Sequence, residues 1–271
     1  MPEHAGNTLR IEDKGDYLAV VSDNPANKNA LTLEYHALLL EAMRQATTED
    51  RITSVVLVGR SGYFSAGGDL ALLAGALETG EKAAWEPVIR ELQDCVAAIR
   101  ACPKPVIAAV AGGAAGAGFA IALACDLVIV EEGAAFMPAY VKIGVAPDGG
   151  LTSTLASQLP HPLAAEICLF GSPVTAERLH QFGLINRITP VGAAESEAQA
   201  LAAKLARGPA VAQSKIKELL VKGRQNSFNE QLDLERSTLV DILGSRSARE
   251  GINAFLEKRR PDFPAAEGRA R

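Results

Sequence analysis

Two glycine-rich segments carry the residue types best suited to chemistry, Ser65-Ala66-Gly67-Gly68-Asp69 and the run from Gly112 to Gly118. Each follows a short apolar run typical of a buried strand and precedes a helical pattern, so free N–H groups of the helix should point above the strand end. Glycine admits a substrate carbonyl close to the backbone. N–H donors held in this way stabilise a developing oxyanion by roughly 3–4 kcal/mol each. The alternative is a pair of tight strand-to-helix turns that pack backbone on backbone.

Other glycine-loop chemistries are excluded by particular residues. A phosphate-binding loop ends in Gly-Lys-Ser/Thr, which neither segment contains. The segment Gly116-Ala117-Gly118-Phe119-Ala120-Ile121 lacks the last glycine or alanine of a dinucleotide-binding fingerprint. Ser65 is preceded two positions earlier by Tyr63 rather than glycine, so it does not lie in a GxSxG nucleophile elbow.

The elements that must position these loops alternate between strand and helix. A hairpin is expected at 8–13 and 17–22, and Thr32 should cap a helix that runs to about residue 47. Buried strands are predicted at 54–59, 105–110 and 127–131, with helices from Asp69 and over 117–124. This alternation predicts an α/β core, assigned to residues 1–195. After a strand at 185–188, helical patterns occupy 192–207, 209–223, 228–243 and 247–258, and residues 196–271 are predicted to form a helical region.

Composition narrows the classes of partner. The chain of 271 residues is 48% hydrophobic with a net charge of −5 and scattered basic residues, which excludes nucleic acid as the main partner and favours small molecules. The four cysteines lack CxxC spacing, so neither a disulfide framework nor a metal site is expected. The first residues lack the features of a signal or transit peptide, which predicts a cytoplasmic protein. The uncharged stretch from Pro105 to Cys125 is long enough for a bilayer, but its glycines favour strand, turn and helix.

Several segments of the sequence carry a family resemblance. They resemble the crotonase, or enoyl-CoA hydratase/isomerase, superfamily: Gly62-Tyr-Phe-Ser-Ala-Gly-Gly-Asp-Leu70, Pro103-Lys-Pro-Val-Ile-Ala-Ala-Val-Ala-Gly112, Ala122-Leu-Ala-Cys-Asp126, Val141-Lys-Ile-Gly-Val-Ala-Pro-Asp-Gly-Gly150, Gly183-Leu-Ile-Asn-Arg-Ile, Ser247-Ala-Arg-Glu-Gly251 and Ala254-Phe-Leu-Glu-Lys-Arg-Arg-Pro-Asp-Phe263. The resemblance covers nearly the whole chain in order. It implies a spiral of β-β-α turns with a helical C-terminal trimerisation region, and a homotrimer or dimer of trimers.

The resemblance also implies an acyl-CoA substrate, with coenzyme A present only as part of the thioester and no separate cofactor. The thioester oxygen would lie between the N–H groups of Gly68 and Ala117, although the second position is usually glycine in the family. Alanine still supplies the N–H, but its methyl could narrow the pocket. The substrate-binding positions implied by the resemblance are Lys28, Ala30, Ser65, Ala66, Asp69, Leu70, Gly116, Ala120, Tyr140 and Lys258.

The acid/base group is the point at which this sequence departs from the family's hydratases. They place two glutamates over the acyl chain, and the matching positions here are Ala120 and Tyr140. Asp148 matches an aspartate that moves a proton in the family's dienoyl-CoA and epoxyphenylacetyl-CoA isomerases, and the surrounding run is closer to the epoxide-isomerase branch. The alternative role for Asp148 is to cap a helix that starts near Leu151. His36, His161 and His180 are expected to be structural.

The expected reaction is therefore the shift of a C=C bond in an enoyl-CoA. Asp148 would remove a proton from one carbon and return it to another while the two loops hold the dienolate oxygen. Two other functions are compatible with the sequence: a hydratase or lyase in which Asp148 acts with water, and a non-catalytic CoA-binding protein that lacks the glutamate pair. The roles of Trp85 and of residues 78–90 are undetermined.

Overall fold

A computed structural model describes residues 8–78 and 80–269. Its strands are β1 Thr8–Asp13, β2 Tyr17–Asp23, β3 Ser54–Gly59, β4 Val106–Val110, β5 Gly113–Ala115, β6 Leu127–Glu131, β7 Ala135–Met137, β8 Val174–Thr175 and β9 Arg187–Thr189. Its α-helices are α1 Leu33–Thr48, α2 Leu70–Glu78, α3 Lys82–Ala101, α4 Ala117–Ala124, α5 Leu151–Gln158, α6 His161–Phe170, α7 Ala176–Gln181, α8 Ala194–Ala206, α9 Ala210–Lys222, α10 Phe228–Leu243, α11 Arg246–Leu256 and α12 Phe263–Ala266. A 3-10 helix covers Ala139–Ile143.

Two sheets form the core. The larger has the order β1-β2-β3-β4-β6-β9, with β1 antiparallel to β2 and the other neighbours parallel. The smaller has the order β5-β7-β8. Both β4 and β6 are followed by a short strand of the second sheet, β5 and β7, and then by helix. Two isolated bridges, Leu31 with Gly68 and Ser65 with Ala114, continue the second layer before β5. The chain therefore winds as a spiral of β-β-α turns.

Strand β3 shows why the large sheet forms where the sequence predicts it. Every residue of Ser-Val-Val-Leu-Val-Gly is buried. Val55 and Leu57 belong to a core cluster that includes α1, α3 and α4 residues, whereas Val56 and Val58 belong to a second cluster on the other face. A strand covered on both faces needs apolar side chains at every position rather than at alternate ones.

Helix α8 covers that second face with small side chains. Ala194, Ala198 and Ala202 recur every four residues, so they share one side of the helix, and all belong to the second cluster. The helix therefore lies close against β3, β4 and β6.

Most predicted elements are confirmed. The hairpin, β3, α4 and β6 occur where expected, and Thr32 caps α1 by accepting from the Tyr35 N–H at 3.3 Å. The four predicted C-terminal helices correspond to α8–α11, and their ends differ from the predicted ones by no more than two residues. The strand predicted at 185–188 begins at Arg187, because the preceding Asn186 uses its side-chain oxygen to accept from the Val128 N–H. Helix α3 and the short strands of the second sheet were not predicted.

The segment from Pro105 to Cys125 is not a membrane span. It divides into β4, β5 and α4. Within residues 8–78 and 80–269, no helix combines the length and apolar character needed to cross a bilayer.

Candidate active site

The two glycine loops lie side by side and are joined through their backbones. The Phe64 N–H donates to the Gly113 carbonyl at 3.0 Å, and the Ala115 N–H donates to the Ser65 carbonyl at 2.9 Å. A Cβ atom on Gly67 would lie 2.7 Å from the Ala115 carbonyl oxygen, so only glycine permits this approach. The loops do pack backbone on backbone, as the alternative interpretation proposed, and this packing fixes the direction of their remaining N–H groups.

The N–H groups of Gly68 and Ala117 lie where the two loops meet. Neither donates a hydrogen bond to another group in the described part of the chain. Ala117 is the first residue of α4, whose first-turn N–H groups have no acceptor within the helix. A Cβ on Gly67, next to Gly68, would lie 3.2 Å from the Ala117 nitrogen, so the two donors belong to backbone segments in contact. Paired free donors are the arrangement that an oxyanion requires.

The alanine at position 117 is accommodated by the core. The residue is 5% exposed and belongs to the larger core cluster, so its methyl is not expected to narrow the substrate space. Gly116 precedes it with a φ of +49° and donates its N–H to the Met137 carbonyl at 2.8 Å, which holds the start of α4 against β7. At Gly68 a Cβ would meet nothing within 4 Å, so the first loop faces open space there.

The segment after β2 forms the other border of the first loop. The Leu31 N–H donates to the Gly67 carbonyl at 2.8 Å, and the Ala66 N–H donates to the Lys28 carbonyl at 2.9 Å. These bonds bring Lys28 and Ala30 beside Ala66 and Gly67; their role in substrate binding stays a prediction. The Lys28 side chain is at the surface, with Nζ 5.7 Å from the centre of the Tyr63 ring.

Asn29 organises this border and was not singled out from the sequence. It is 1% exposed, and its Nδ2 donates to the carbonyls of Arg60 at 2.8 Å and Tyr63 at 2.6 Å. Its Oδ1 accepts from the Asn24 N–H at 2.7 Å and from the Ser22 hydroxyl at 3.1 Å. The Asn-rich run Asn24-Pro-Ala-Asn-Lys-Asn29 was the available signal, since asparagine often bonds to nearby backbone groups in turns.

Asp69 and Leu70 begin the helix that follows the first loop. The Asp69 Oδ1 accepts from the Ala71 N–H at 2.9 Å and the Leu72 N–H at 3.4 Å, so Asp69 caps α2. Leu70 is 56% exposed, although it is a large apolar residue. The Asp69 side chain thus has a structural role, and Leu70 contributes an apolar surface beside the loop.

Asp148 is held by the residue eight positions before it. The Tyr140 hydroxyl, carried by the 3-10 helix, donates to the Asp148 Oδ1 at 2.7 Å. Burial raises the pKa of Asp148 above its ordinary value, and the Tyr140 hydrogen bond and the charge of His36 oppose that rise. Burial and the neighbouring carboxylate also raise the pKa of Tyr140, so this phenol keeps its proton. Of the two groups, the carboxylate is therefore the one that can accept a proton.

Ala120 lies against the same segment. A Cβ on Gly149 would stand 2.9 Å from the Ala120 Cβ, and Ala120 is 2% exposed. The fold therefore brings Ala120, Tyr140 and Asp148 to one place, as the family resemblance implies. Ala120 has no exchangeable proton and the Tyr140 phenol keeps its own, so the group of these three that can accept a proton is Asp148.

The capping interpretation of Asp148 is wrong. The residue that caps α5 is Gly150, with a φ of +73° and no side-chain capping bond. The Leu151 N–H donates to the backbone carbonyl of Asp148 at 3.1 Å rather than to its carboxylate. The Asp148 side chain is thus not used to begin α5.

Lys258 is not joined to the two loops in the described residues. It follows α11, is exposed, and has a φ of +54°. Its N–H donates to the Phe255 carbonyl at 3.2 Å, which ends the helix. Its predicted contact with the CoA moiety stays a prediction.

His36 was expected to be structural, and it lies within electrostatic reach of Asp148. It is 5% exposed on α1, and its Nδ1 lies 3.4 Å from the Glu91 Oε2 on α3. A charge on His36 acts to lower the pKa of Asp148, and the Asp148 carboxylate acts to raise the pKa of His36. Sequence spacing gave no signal for this cluster because its members are 55 or more positions apart.

The sequence matches the model of a known family over most of its length. Residues 16–266 match the family described as enoyl-CoA hydratase/isomerase. Among individual proteins, the chain is 38% identical over 260 residues to a probable enoyl-CoA hydratase of Rhodobacter capsulatus, covering 95% of this chain and 98% of that protein. It is 34% identical over 255 residues to the 1,2-epoxyphenylacetyl-CoA isomerase of Escherichia coli, covering 91% and 94%.

Solved structures agree with the sequence matches. The crystal structure of an enoyl-CoA hydratase from Polaromonas sp. JS666 superposes with a TM-score of 0.90 at 39% sequence identity, covering 93% of this chain and 98% of that one. These relatives are named both as hydratases and as an isomerase, so similarity alone leaves the reaction open.

Proposed function

The chain belongs to the enoyl-CoA hydratase/isomerase family, and we propose that within it this protein shifts a C=C bond in an enoyl-CoA thioester. The observation that carries the proposal is the Asp148 carboxylate, held at 2.7 Å by Tyr140 beside an alanine that cannot exchange protons. A double-bond shift needs one group that removes and returns a proton, and Asp148 meets that need.

The proposed reaction begins with proton removal. The Asp148 carboxylate takes a proton from a carbon next to the double bond, the C–H bond breaks, and the electron pair moves onto the thioester oxygen as a dienolate. The N–H groups of Gly68 and Ala117 donate to that oxygen, each contributing roughly 3–4 kcal/mol. Asp148 then returns the proton to a different carbon, which leaves the double bond shifted and the carboxylate regenerated.

The environment of Asp148 suits this role. Its pKa is raised by burial, which makes the carboxylate a stronger base than an exposed aspartate. The Tyr140 hydroxyl orients the carboxylate and keeps its own proton. Lys28, at the border of the first loop, and Lys258 are proposed to pair with the phosphates of coenzyme A.

The proposed enzyme is an oligomer, a homotrimer or a dimer of trimers. Helix α10 has no buried residue within the single chain. Helices α10 and α11 expose large apolar side chains: Leu239, Val240, Leu243, Phe255 and Leu256. An amphipathic helix that buries none of its apolar side chains needs a partner surface, and another copy of the chain would supply it. Light scattering on the purified protein would give the number of copies.

A hydratase or lyase is the second candidate, favoured by the 38% identity to a probable enoyl-CoA hydratase. In that reaction Asp148 would act on water, and solvent oxygen would enter the product. The isomerase is preferred because Ala120 and Tyr140 stand where the family's hydratases carry glutamates.

The test uses a 3-enoyl-CoA, whose conversion to the conjugated 2-enoyl-CoA is followed by ultraviolet absorbance, with Asp148→Asn as the variant. Asparagine keeps the size of the side chain and an oxygen that can accept from Tyr140, but it cannot take the proton. Turnover should fall by about 10²–10⁴-fold, the contribution typical of a general acid/base, while acyl-CoA binding is retained. Asp50→Asn, at an exposed position, is the control and should behave as wild type.

Two results would contradict the proposal. Turnover of Asp148→Asn within about threefold of wild type would remove Asp148 from the mechanism. Incorporation of ¹⁸O from labelled water into the main product would assign the hydratase reaction instead.

A further inference from the structure

His36 is a buried imidazole that the proposed reaction does not use. The residue lies on α1 and is 5% exposed. Its backbone carbonyl accepts from the Cys95 thiol of α3 at 3.7 Å, and its ring meets that of Tyr35 edge-on at 6.5 Å between centres. The Cys95 contact places this turn of α1 against α3.

Glu91 determines which ring nitrogen carries the proton. The His36 Nδ1 lies 3.4 Å from the Glu91 Oε2, and an ionised carboxylate can only accept. Nδ1 is therefore the protonated nitrogen of the neutral ring, and Nε2 is the free base. That Nε2 is buried and has no hydrogen-bond partner in the described residues. Since buried polar atoms are nearly always paired, the atom stands out as an available proton acceptor.

One turn of α3 contacts both His36 and the segment that carries Asp148. Glu91 contacts His36, and a Cβ on Gly149 would lie 3.5 Å from the side chain of Leu92. His36 and the segment that carries Asp148 thus lie against consecutive residues of one helix.

We propose that His36, oriented by Glu91, is a positioning residue for Asp148: protonation of its buried Nε2 introduces a positive charge within reach of the Asp148 carboxylate and keeps that carboxylate ionised. The role presupposes the proposed function of Asp148, but the coupling of the two groups does not. The ionisable groups around the ring are Glu91 and Cys95 of α3, Tyr35 of α1 and Asp148, which Tyr140 in turn contacts.

His36 and Asp148 each shift the pKa of the other in a defined direction. Burial lowers the pKa of His36, and the charges of Glu91 and Asp148 oppose that fall. The charge of His36 acts to lower the pKa of Asp148. A proton on Nε2 therefore opposes protonation of the carboxylate. The two groups titrate as a coupled pair, and Asp148 stays an active base to a lower pH than it would alone.

The direct test measures the titration of His36 by ¹H–¹⁵N NMR of histidine-labelled protein. The His36 signals are identified by their loss in His36→Gln. In the wild type we expect an Nδ1–H tautomer and a pKa below the ordinary value of 6.5. In Asp148→Asn the pKa of His36 should fall further, by about half a unit, the size expected for two charges several ångströms apart in partly solvated protein.

Two variants of α3 separate this coupling from a general effect of charge. Glu91→Gln removes the orienting carboxylate and should also lower the pKa of His36. Glu86→Gln makes the same change on the same helix, where Glu86 pairs with Arg90 instead, and should leave it unchanged. A pKa of His36 that does not respond to Asp148→Asn would overturn the inference.

The kinetic test uses the pH dependence of kcat/KM for the 3-enoyl-CoA. In His36→Gln the acidic limb should move to higher pH by about half a unit, because Asp148 then protonates without the opposing charge, while kcat at pH 8 is largely retained. A histidine with only a packing role would lower stability and leave the limb in place, which would contradict the inference.

The two proposals fail in different ways. If Asp148→Asn retains full turnover, the proposed function fails, whereas the NMR titration still decides the coupling. If Asp148→Asn is inactive but the substitution leaves the pKa of His36 unchanged, only the inference on His36 fails. Should His36→Gln not fold, the titrations of Asp148→Asn and Glu91→Gln still decide the coupling.

Discussion

Substitution of Gly118 by alanine tests whether the contact between the two loops controls the oxyanion donors. Gly118 is the second residue of α4, next to Ala117. A Cβ there would lie 2.7 Å from both the Cβ and the carbonyl oxygen of Ser65. Carbon atoms pack at about 3.5 Å or more, so Ser65 must retreat by about 0.8 Å relative to α4. Ser65 also accepts from the Gly67 N–H through its hydroxyl, so the Gly68 donor should move with it.

The size of the effect follows from that displacement. A donor placed 2.7–3.1 Å from the oxyanion would move to about 3.5–3.9 Å, beyond hydrogen-bond distance. Loss of one such donor lowers kcat by about 10²–10³-fold. Overpacking should also lower the free energy of unfolding by about 1–3 kcal/mol. Isomerisation of the 3-enoyl-CoA measures the first effect and urea unfolding the second.

Gly75→Ala is the matched control, since it makes the same change in another helix. Gly75 lies within α2, and a Cβ there would meet nothing within 4 Å. Alanine at an unobstructed helix position should raise the free energy of unfolding by roughly 0.5–1 kcal/mol and leave turnover unchanged. A folded Gly118→Ala variant with turnover within about threefold of wild type would refute the link between loop contact and donor placement.

Three further predictions concern stability. Asp148→Asn should raise the free energy of unfolding above the raised pKa of Asp148 and have no effect below its ordinary value near 3.8, because burial disfavours the ionised form; lower stability at pH 7 would contradict this. Lys217→Met should lower the free energy of unfolding by about 3–5 kcal/mol, because it leaves the carboxylate of Asp126, 2.7 Å from Nζ, without its ionic partner. The double variant that also carries Asp126→Asn is the check, and it should recover most of the lost stability. Asn29→Ala should lower it by about 1–3 kcal/mol, since four bonded groups lose their partner, and an unchanged urea midpoint would show those bonds to be dispensable.

The parts of the fold that were predictable are those with a strong local signal. Strand β3 and helix α4 were located from runs of apolar residues bounded by turns, and Thr32 from its capping position. Strands β7 and β8, by contrast, have three and two residues, too few to show a period. Their positions are set by pairing with strands distant in sequence, which a local pattern does not contain.

The candidate site divides in the same way. The two glycine loops were identifiable because each joins a strand to a helix, and Asp148 because the family resemblance marks its position. The pairing of Tyr140 with Asp148 depends on the turn between them, and that of His36 with Glu91 depends on the packing of α1 against α3. Such side-chain pairs arise from tertiary contact, so no spacing between residues in the sequence predicts them.

The free donors of Gly68 and Ala117 are peptide groups, which do not ionise between pH 3 and 10 as side chains do. The hydrogen-bond donors that are proposed to hold the thioester oxygen therefore keep the same charge at every pH in this range. Any bend in a pH–rate profile then reports the groups that carry protons. Turnover measured across pH becomes a titration curve of Asp148 and its neighbours, with the amide pair as a constant background.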